Sequence, residues 1–158
     1  MKEIVLTRID DRLIHGQVMT SWLNYTSANK IMVVDDEVAK DTFMKGILKA
    51  CVPANIMIAV FTVEAAVARL KKGSKPTDRM IILVKFPKTL YRMMKMGIQF
   101  EKINIGGMGV RGDRTKFYKN ISASVEEKKM LKEMIDGGSK VTVQIIAEDN
   151  ATDVSKLL

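Results

Sequence analysis

Short apolar runs alternate with helical periodicity along the whole chain. Runs rich in Ile, Val and Met fall at residues 3–7, 30–34, 55–60, 79–84, 102–105 and 140–145. Several show little polar alternation, as expected of strands buried on both faces of a parallel sheet. Helical spacing fills the gaps at residues 16–25, 38–51, 63–72, 87–96 and 125–135. Thr62 stands where an N-cap belongs, and Ser124-Val125-Glu126-Glu127 has the form of a capping box. Pro87 suits a first helical turn, where no amide donor is needed, and Gly97 and Gly137-Gly138 suit helix ends. Residues 153–158 read as a short terminal helix. The alternation predicts an α/β fold: a single-domain, open, mostly parallel twisted sheet with helices on both faces. No repeat, low-complexity tract or linker divides residues 1–158, so one domain is expected.

In such a sheet, ligands bind beyond the carboxyl ends of the strands, where strand order reverses. The loops to watch are therefore residues 10–15, 35–37, 61–62, 85–88 and 106–114. Composition narrows the class. The chain has 158 residues, 47% of them hydrophobic and 28% charged, which describes a globular domain with a real core. No apolar stretch approaches the roughly 20 residues that span a bilayer. Met1-Lys2-Glu3-Ile4 runs straight into a strand and does not resemble a signal peptide. The lone cysteine, Cys51, excludes an internal disulfide and falls in an apolar helical pattern, so it is expected in the core. A net charge of +8 favours an acidic partner. The charge is dispersed and aromatics make up only 6%, which argues against nucleic-acid binding.

The candidate chemistry centres on the only histidine. His15 lies in Arg8-Ile9-Asp10-Asp11-Arg12-Leu13-Ile14-His15-Gly16-Gln17-Val18, where a strand gives way to a helix. Neutral imidazole carries one basic nitrogen that can attack phosphorus, while the other donates a hydrogen bond. A helix starting at Gly16 aims free N–H groups and the positive end of its dipole at a phosphoryl group on His15. Arg12 can bridge phosphoryl oxygens, and Asp10 or Asp11 can fix the ring tautomer. Gly16 lets backbone approach an anion, and Gln17 belongs to the same first turn. The bland alternative is a surface turn with a structural Asp–Arg pair. Gly106-Gly107-Met108-Gly109-Val110-Arg111-Gly112-Asp113-Arg114 can form an anion nest covering His15, with Arg111 or Arg114 facing a partner or substrate. Its alternative is a flexible turn leading to a short strand near residues 118–121. At least one acid of Asp35-Asp36-Glu37 reads as a cap of the next helix, and Asp36 can also support Arg12 or a loop backbone in the site. Trp22 and Val18 share a helix face expected in the core. No Cys/His cluster suggests a metal, no cofactor motif is present, and no P-loop points to ATP.

The segment from Arg8 to Val18, with Trp22 following, resembles the phosphohistidine segment of the IIB components of the mannose/fructose/sorbose family of the bacterial sugar phosphotransferase system. Val33-Val34-Asp35-Asp36-Glu37-Val38-Ala39 and Ile103-Asn104-Ile105-Gly106-Gly107-Met108 agree as well. The resemblance implies a transferase (kinase) phosphocarrier. His15 accepts a phosphoryl group on Nδ1 from phospho-IIA and passes it to a sugar arriving through the membrane components IIC and IID. It further implies a cytoplasmic protein, peripheral at the inner membrane face, and it allows self-association; because the motif starts at Arg8, the IIA partner is expected as a separate chain. Other phosphotransferase classes use a cysteine, but Cys51 lies far from the motif. The rival readings are a regulatory module that senses phosphorylation without passing it on, and a basic nucleic-acid-binding domain.

Overall fold

The computed structural model describes residues 3–158; Met1 and Lys2, part of the N-terminal reading above, lie outside the described residues. Seven strands form one sheet in the order β3-β2-β4-β1-β5-β8-β9. They are β1 (Ile4–Asp10), β2 (Lys30–Val34), β3 (Met57–Phe61), β4 (Met80–Val84), β5 (Lys102–Gly107), β8 (Lys140–Val143) and β9 (Thr152–Asp153). All neighbours are parallel except β9, which returns antiparallel beside β8. A separate antiparallel hairpin, β6 (Thr115–Tyr118) and β7 (Ile121–Ala123), projects after β5. Residues 119–120, inside the single strand expected there, form its turn, with Lys119 at φ +47°.

The helices lie on both faces because the chain winds in two directions. From β1 it moves outward to β2 and β3, and α1 (Gly16–Thr26), α2 (Asp36–Ala39) and α3 (Thr42–Ala50) cover one face. It then moves back through β4, β5 and β8, and α4 (Val63–Lys71), α5 (Pro87–Lys95) and α6 (Val125–Asp136) cover the other. Right-handed crossovers require this change of face when direction reverses. Strand residues alternate between the two cores. Ile31, Val33, Ile81 and Leu83 pack with Trp22, Leu23 and Leu48 on the α1 face. Met32, Val34, Ile82, Val84, Ile103 and Ile105 pack with Leu70, Met93 and Leu131 on the α4–α6 face. The loops after β1 and after its neighbours β4 and β5 therefore leave toward opposite faces, opening the crevice where ligands bind in such sheets.

Three elements differ from expectation. β1 continues to Asp10, because Arg8 and Asp10, though charged, find partners inside the sheet. The helix expected over residues 38–51 is two. Asp35 caps α2 through the amides of Glu37 and Val38, and Asp41 starts α3 by accepting from Met44 N. Cys51 is exposed at the end of α3, not in the core. The terminal helix reduces to one 3-10 turn, Ser155–Leu157. Ser124 and Glu127 form the expected capping box. Among the described residues no helix is long and apolar enough to cross a membrane.

Candidate functional site

The loop between β1 and α1, residues 11–15, is shaped by Asp10. The last residue of β1 is 1% exposed and accepts from Arg12 N at 3.0 Å, which folds the backbone back on itself. Leu13 N bonds the Asp10 carbonyl at 2.9 Å, and Leu13 adopts φ +58°. Leu13 tolerates that left-handed backbone because its side chain anchors in the α1-face core. Burying Leu13 and Ile14 leaves His15 outward at the N-cap of α1, exposed to solvent.

α1 begins without a side-chain cap and without an acidic residue in its first turn. Among the described residues nothing accepts from the amides of Gly16, Gln17 or Val18. Gly16 takes φ +32°, which favours glycine at this bend. An uncapped helix N-terminus beside an exposed imidazole is a ready-made anion site.

Arg12 is the group closest to the ring. Its guanidinium donates to Asp10 Oδ1 through Nε at 3.1 Å, while Nη1 lies 3.3 Å from His15 Nε2. Guanidinium only donates, so this contact is a hydrogen bond in the tautomer that carries its proton on Nδ1 and leaves Nε2 to accept. Arg12 is 47% exposed, held by Asp10 on one side and open to solvent on the other.

Neither carboxylate holds the ring. Asp10 bonds Arg8 and Arg12, and Asp11 bonds Gly109 N at 2.7 Å and Arg114 at 3.1 Å. The expectation that one of them fixes the His15 tautomer is corrected: both are spent on positioning neighbouring segments. The glycine segment is also built differently from an anion nest. The Cβ that Gly106 lacks would fall 2.0 Å from the Arg8 guanidinium carbon, and that of Gly107 2.7 Å from Asp10 Oδ1. These glycines make room for protein side chains. Met108 is 1% exposed and packs in the core, so its side chain does not line the site. Arg114, 5% exposed, closes the segment by binding Asp11, the Gly109 carbonyl and both Glu127 oxygens. Burial works against its charge, but Glu127 and Asp11 outweigh that and raise its pKa above the usual guanidinium value. Arg111 is exposed and lies over the Phe86 ring at 5.5 Å.

Asp36 stands apart. It accepts from Val63 N at 2.9 Å and Arg92 Nη1 at 2.8 Å, tying the starts of α2 and α4 to α5. Those two hydrogen bonds hold its carboxyl below the usual range. It supports a backbone, as one reading had it, but not Arg12. Trp22 and Val18 are buried as expected, with Trp22 Nε1 donating to the Ile145 carbonyl. Among the described residues no cluster of three or more His, Cys, Asp or Glu is placed to hold a metal ion.

Sequence reasoning missed Arg8. It was quoted in the motif without a role, yet its side chain is fully buried beneath the site. The available signal was a cation inside an apolar strand, a costly placement that demands partners. Phe86, in the 85–88 segment that reads first as a helix start and second as a cleft wall, lies under Arg111 and Arg114.

The chain matches the family described as PTS system sorbose subfamily IIB component over residues 4–158. It is 32% identical over 151 residues to the sorbose-specific EIIB component of Lacticaseibacillus casei, covering 96% of this chain and 92% of that protein. It is also 32% identical over 146 residues to the mannose-specific EIIAB component of Escherichia coli K12, covering 92% of this chain and 45% of that protein. The crystal structure of the IIB domain of the sorbose permease from Klebsiella pneumoniae superposes with a TM-score of 0.89 at 29% identity. The match covers 98% of this chain and 95% of that one. The chain belongs to the sorbose subfamily of IIB components, parts of sugar uptake through the phosphotransferase system.

Proposed function

We propose that this IIB component carries a phosphoryl group on His15 between phospho-IIA and a sugar delivered by IIC and IID. The observation that carries the reading is an exposed imidazole at an uncapped helix N-terminus with a half-exposed guanidinium against it. The acceptor nitrogen is Nδ1, as the family resemblance implies. In the tautomer that accepts from Arg12 at Nε2 the proton is on Nδ1, and transfer to Nδ1 uses the other tautomer. The incoming phosphoryl group attracts Arg12 away from Nε2. Solvent exchange then moves the proton to Nε2 and frees the Nδ1 lone pair. Nδ1 attacks phosphorus in line, and an N–P bond forms as the donor histidine's N–P bond breaks. Arg12 and the amides of Gly16 and Gln17 take the charge on the equatorial oxygens. In the second step a sugar hydroxyl attacks phosphorus, its proton leaves to solvent, and neutral imidazole is the leaving group. Arg111, exposed at the rim, meets IIA or the sugar phosphate. Gly106, Gly107 and Met108 contribute by shaping the wall beneath Arg12. The protein works in the cytoplasm at the inner membrane face, with residues 1–158 as one IIB domain.

The test uses phosphoenolpyruvate, the general carriers, the IIA partner and the membrane components. Labelled phosphate should reach the wild-type chain and then sugar, and His15→Ala should take up none while keeping its fold. Undiminished labelling of His15→Ala would contradict the assignment. Labelling without sugar phosphorylation would replace it with a regulatory role.

A further inference from the structure

The buried cation beneath the loop is the group not yet used. Arg8 is 0% exposed in the central strand. Its Nη1 donates to Asn104 Oδ1 at 2.6 Å and to the Gln144 carbonyl at 3.0 Å, and its Nη2 donates to Asp10 Oδ2 at 3.1 Å. The Trp22 ring lies 5.5 Å from its guanidinium carbon. Nε has no partner among the described residues. Burial lowers its pKa, with Asp10 opposing. The backbone accommodates the guanidinium at a register shift. Arg8 pairs with Asn104 and Ile9 with Ile105, but Asp10 pairs with Gly107, so Gly106 is the extra residue and the guanidinium fills the space of its absent Cβ.

A fold does not need this arrangement for stability. A buried ion pair with an unsatisfied donor is often matched or bettered by apolar side chains of similar size. What it supplies here is direction. Asp10 is almost completely buried between two guanidinium groups: Arg8 holds Oδ2, and Arg12 is held mainly by Oδ1. Arg12 in turn contacts His15.

We propose that Arg8 is a positioning residue for phosphoryl transfer, fixing the Asp10 carboxylate so that Asp10 aims Arg12 at the group on His15. The inference rests on the reading of His15 as the phosphoryl carrier. It makes Arg8 act only through Arg12. Loss of Arg8 therefore misplaces one charge-stabilising group by a fraction of its length and leaves the docking surface untouched. A misplacement on the order of 1 Å costs up to about a hundredfold in rate.

The experiment compares the wild-type chain, Arg8→Met, Arg12→Ala and the double variant, with phospho-IIA as donor. Arg8→Met should lower kcat by about ten- to a hundredfold with KM for phospho-IIA within about twofold. Added to Arg12→Ala it should slow transfer no further, because the two act in series. A folded Arg8→Met at the wild-type rate, a change confined to KM, or an effect that multiplies with Arg12→Ala would overturn the proposal. Arg8→Met combined with Gly106→Ala fills the vacated space and separates fold from rate. Removing the donor of a buried carboxylate destabilises, so this pair should melt below the wild type yet remain folded at the assay temperature while transfer stays slow, and wild-type transfer would count against positioning. Should both Arg8→Met chains fail to fold, Asn104→Ala, which removes one hydrogen bond from the guanidinium, carries the same kcat readout. His15→Ala run alongside keeps the two readings apart. Labelling lost there with Arg8→Met unaffected removes Arg8 alone, and labelling retained there removes the carrier reading itself.

Discussion

At the scale of single residues, the site depends on which groups remain free. Of the polar side chains from Asp10 to His15, Asp10 and Asp11 are held by protein partners, while Arg12 and His15 are exposed. Arg12→Ala should therefore slow transfer to His15 by about a hundred- to a thousandfold, the usual loss for one donor aimed at developing charge. A rapid-quench measurement with phospho-IIA checks this, and transfer within about twofold of wild type would exclude the role. The resemblance and the strand-to-helix turn made His15, Arg12 and Gly16 legible from sequence. The partners of the two carboxylates were not legible. Asp11 meets Gly109 and Arg114, about a hundred positions away, and no local pattern announces such a pairing. Arg8 was hidden for a related reason: its partners are Asn104 of β5 and the carbonyl of Gln144, just past the end of β8.

At the scale of elements, caps and turns place the site. The start of α6 combines the Ser124–Glu127 capping box with the Glu127–Arg114 pair, so one carboxylate serves both the helix and the wall beside Asp11. Burial tends to raise the Glu127 carboxyl pKa, but Arg114 and Ser124 outweigh it and hold the value below the usual one. A depressed folded value means stability that is present above the unfolded pKa, about 4.3, and is lost as pH falls through the folded value. Thermal melts of wild type and Glu127→Gln should thus differ near neutrality and converge in acid; a constant gap down to about pH 2 would contradict this linkage. Asp41→Ala removes the cap that separates α3 from α2 and should cost about 1 kcal/mol in urea denaturation, with no change in transfer. Strand and helix order was readable because each buried parallel strand is nearly all apolar, as Met80–Val84 shows. The α2–α3 break was not, since Asp41 as a cap and Asp41 as an exposed helical residue leave the same apolar spacing on either side. Cys51 went astray because the apolar spacing runs through it, although it is the exposed C-cap of α3.

At the scale of the whole molecule, the reversal of winding at β1 puts the loops after β1 and β5 side by side at one end of the sheet. The Asp11–Arg114 clasp then joins them. The chain as a whole carries a net charge of +8. If phospho-IIA is acidic where it docks, association should slow by about tenfold as salt rises from about 0.05 to 0.5 M, with the chemical step unchanged. Stopped-flow binding at several ionic strengths measures this, and a rate indifferent to salt would exclude electrostatic steering. The expectations about transfer presuppose that the one imidazole is the carrier. Phosphorus NMR of the chain charged by phospho-IIA, with ¹⁵N-labelled histidine, tests that most directly. The account predicts a single phosphoramidate resonance coupled to Nδ1 of His15 and absent from His15→Ala. A phosphoryl signal that survives in His15→Ala would contradict it.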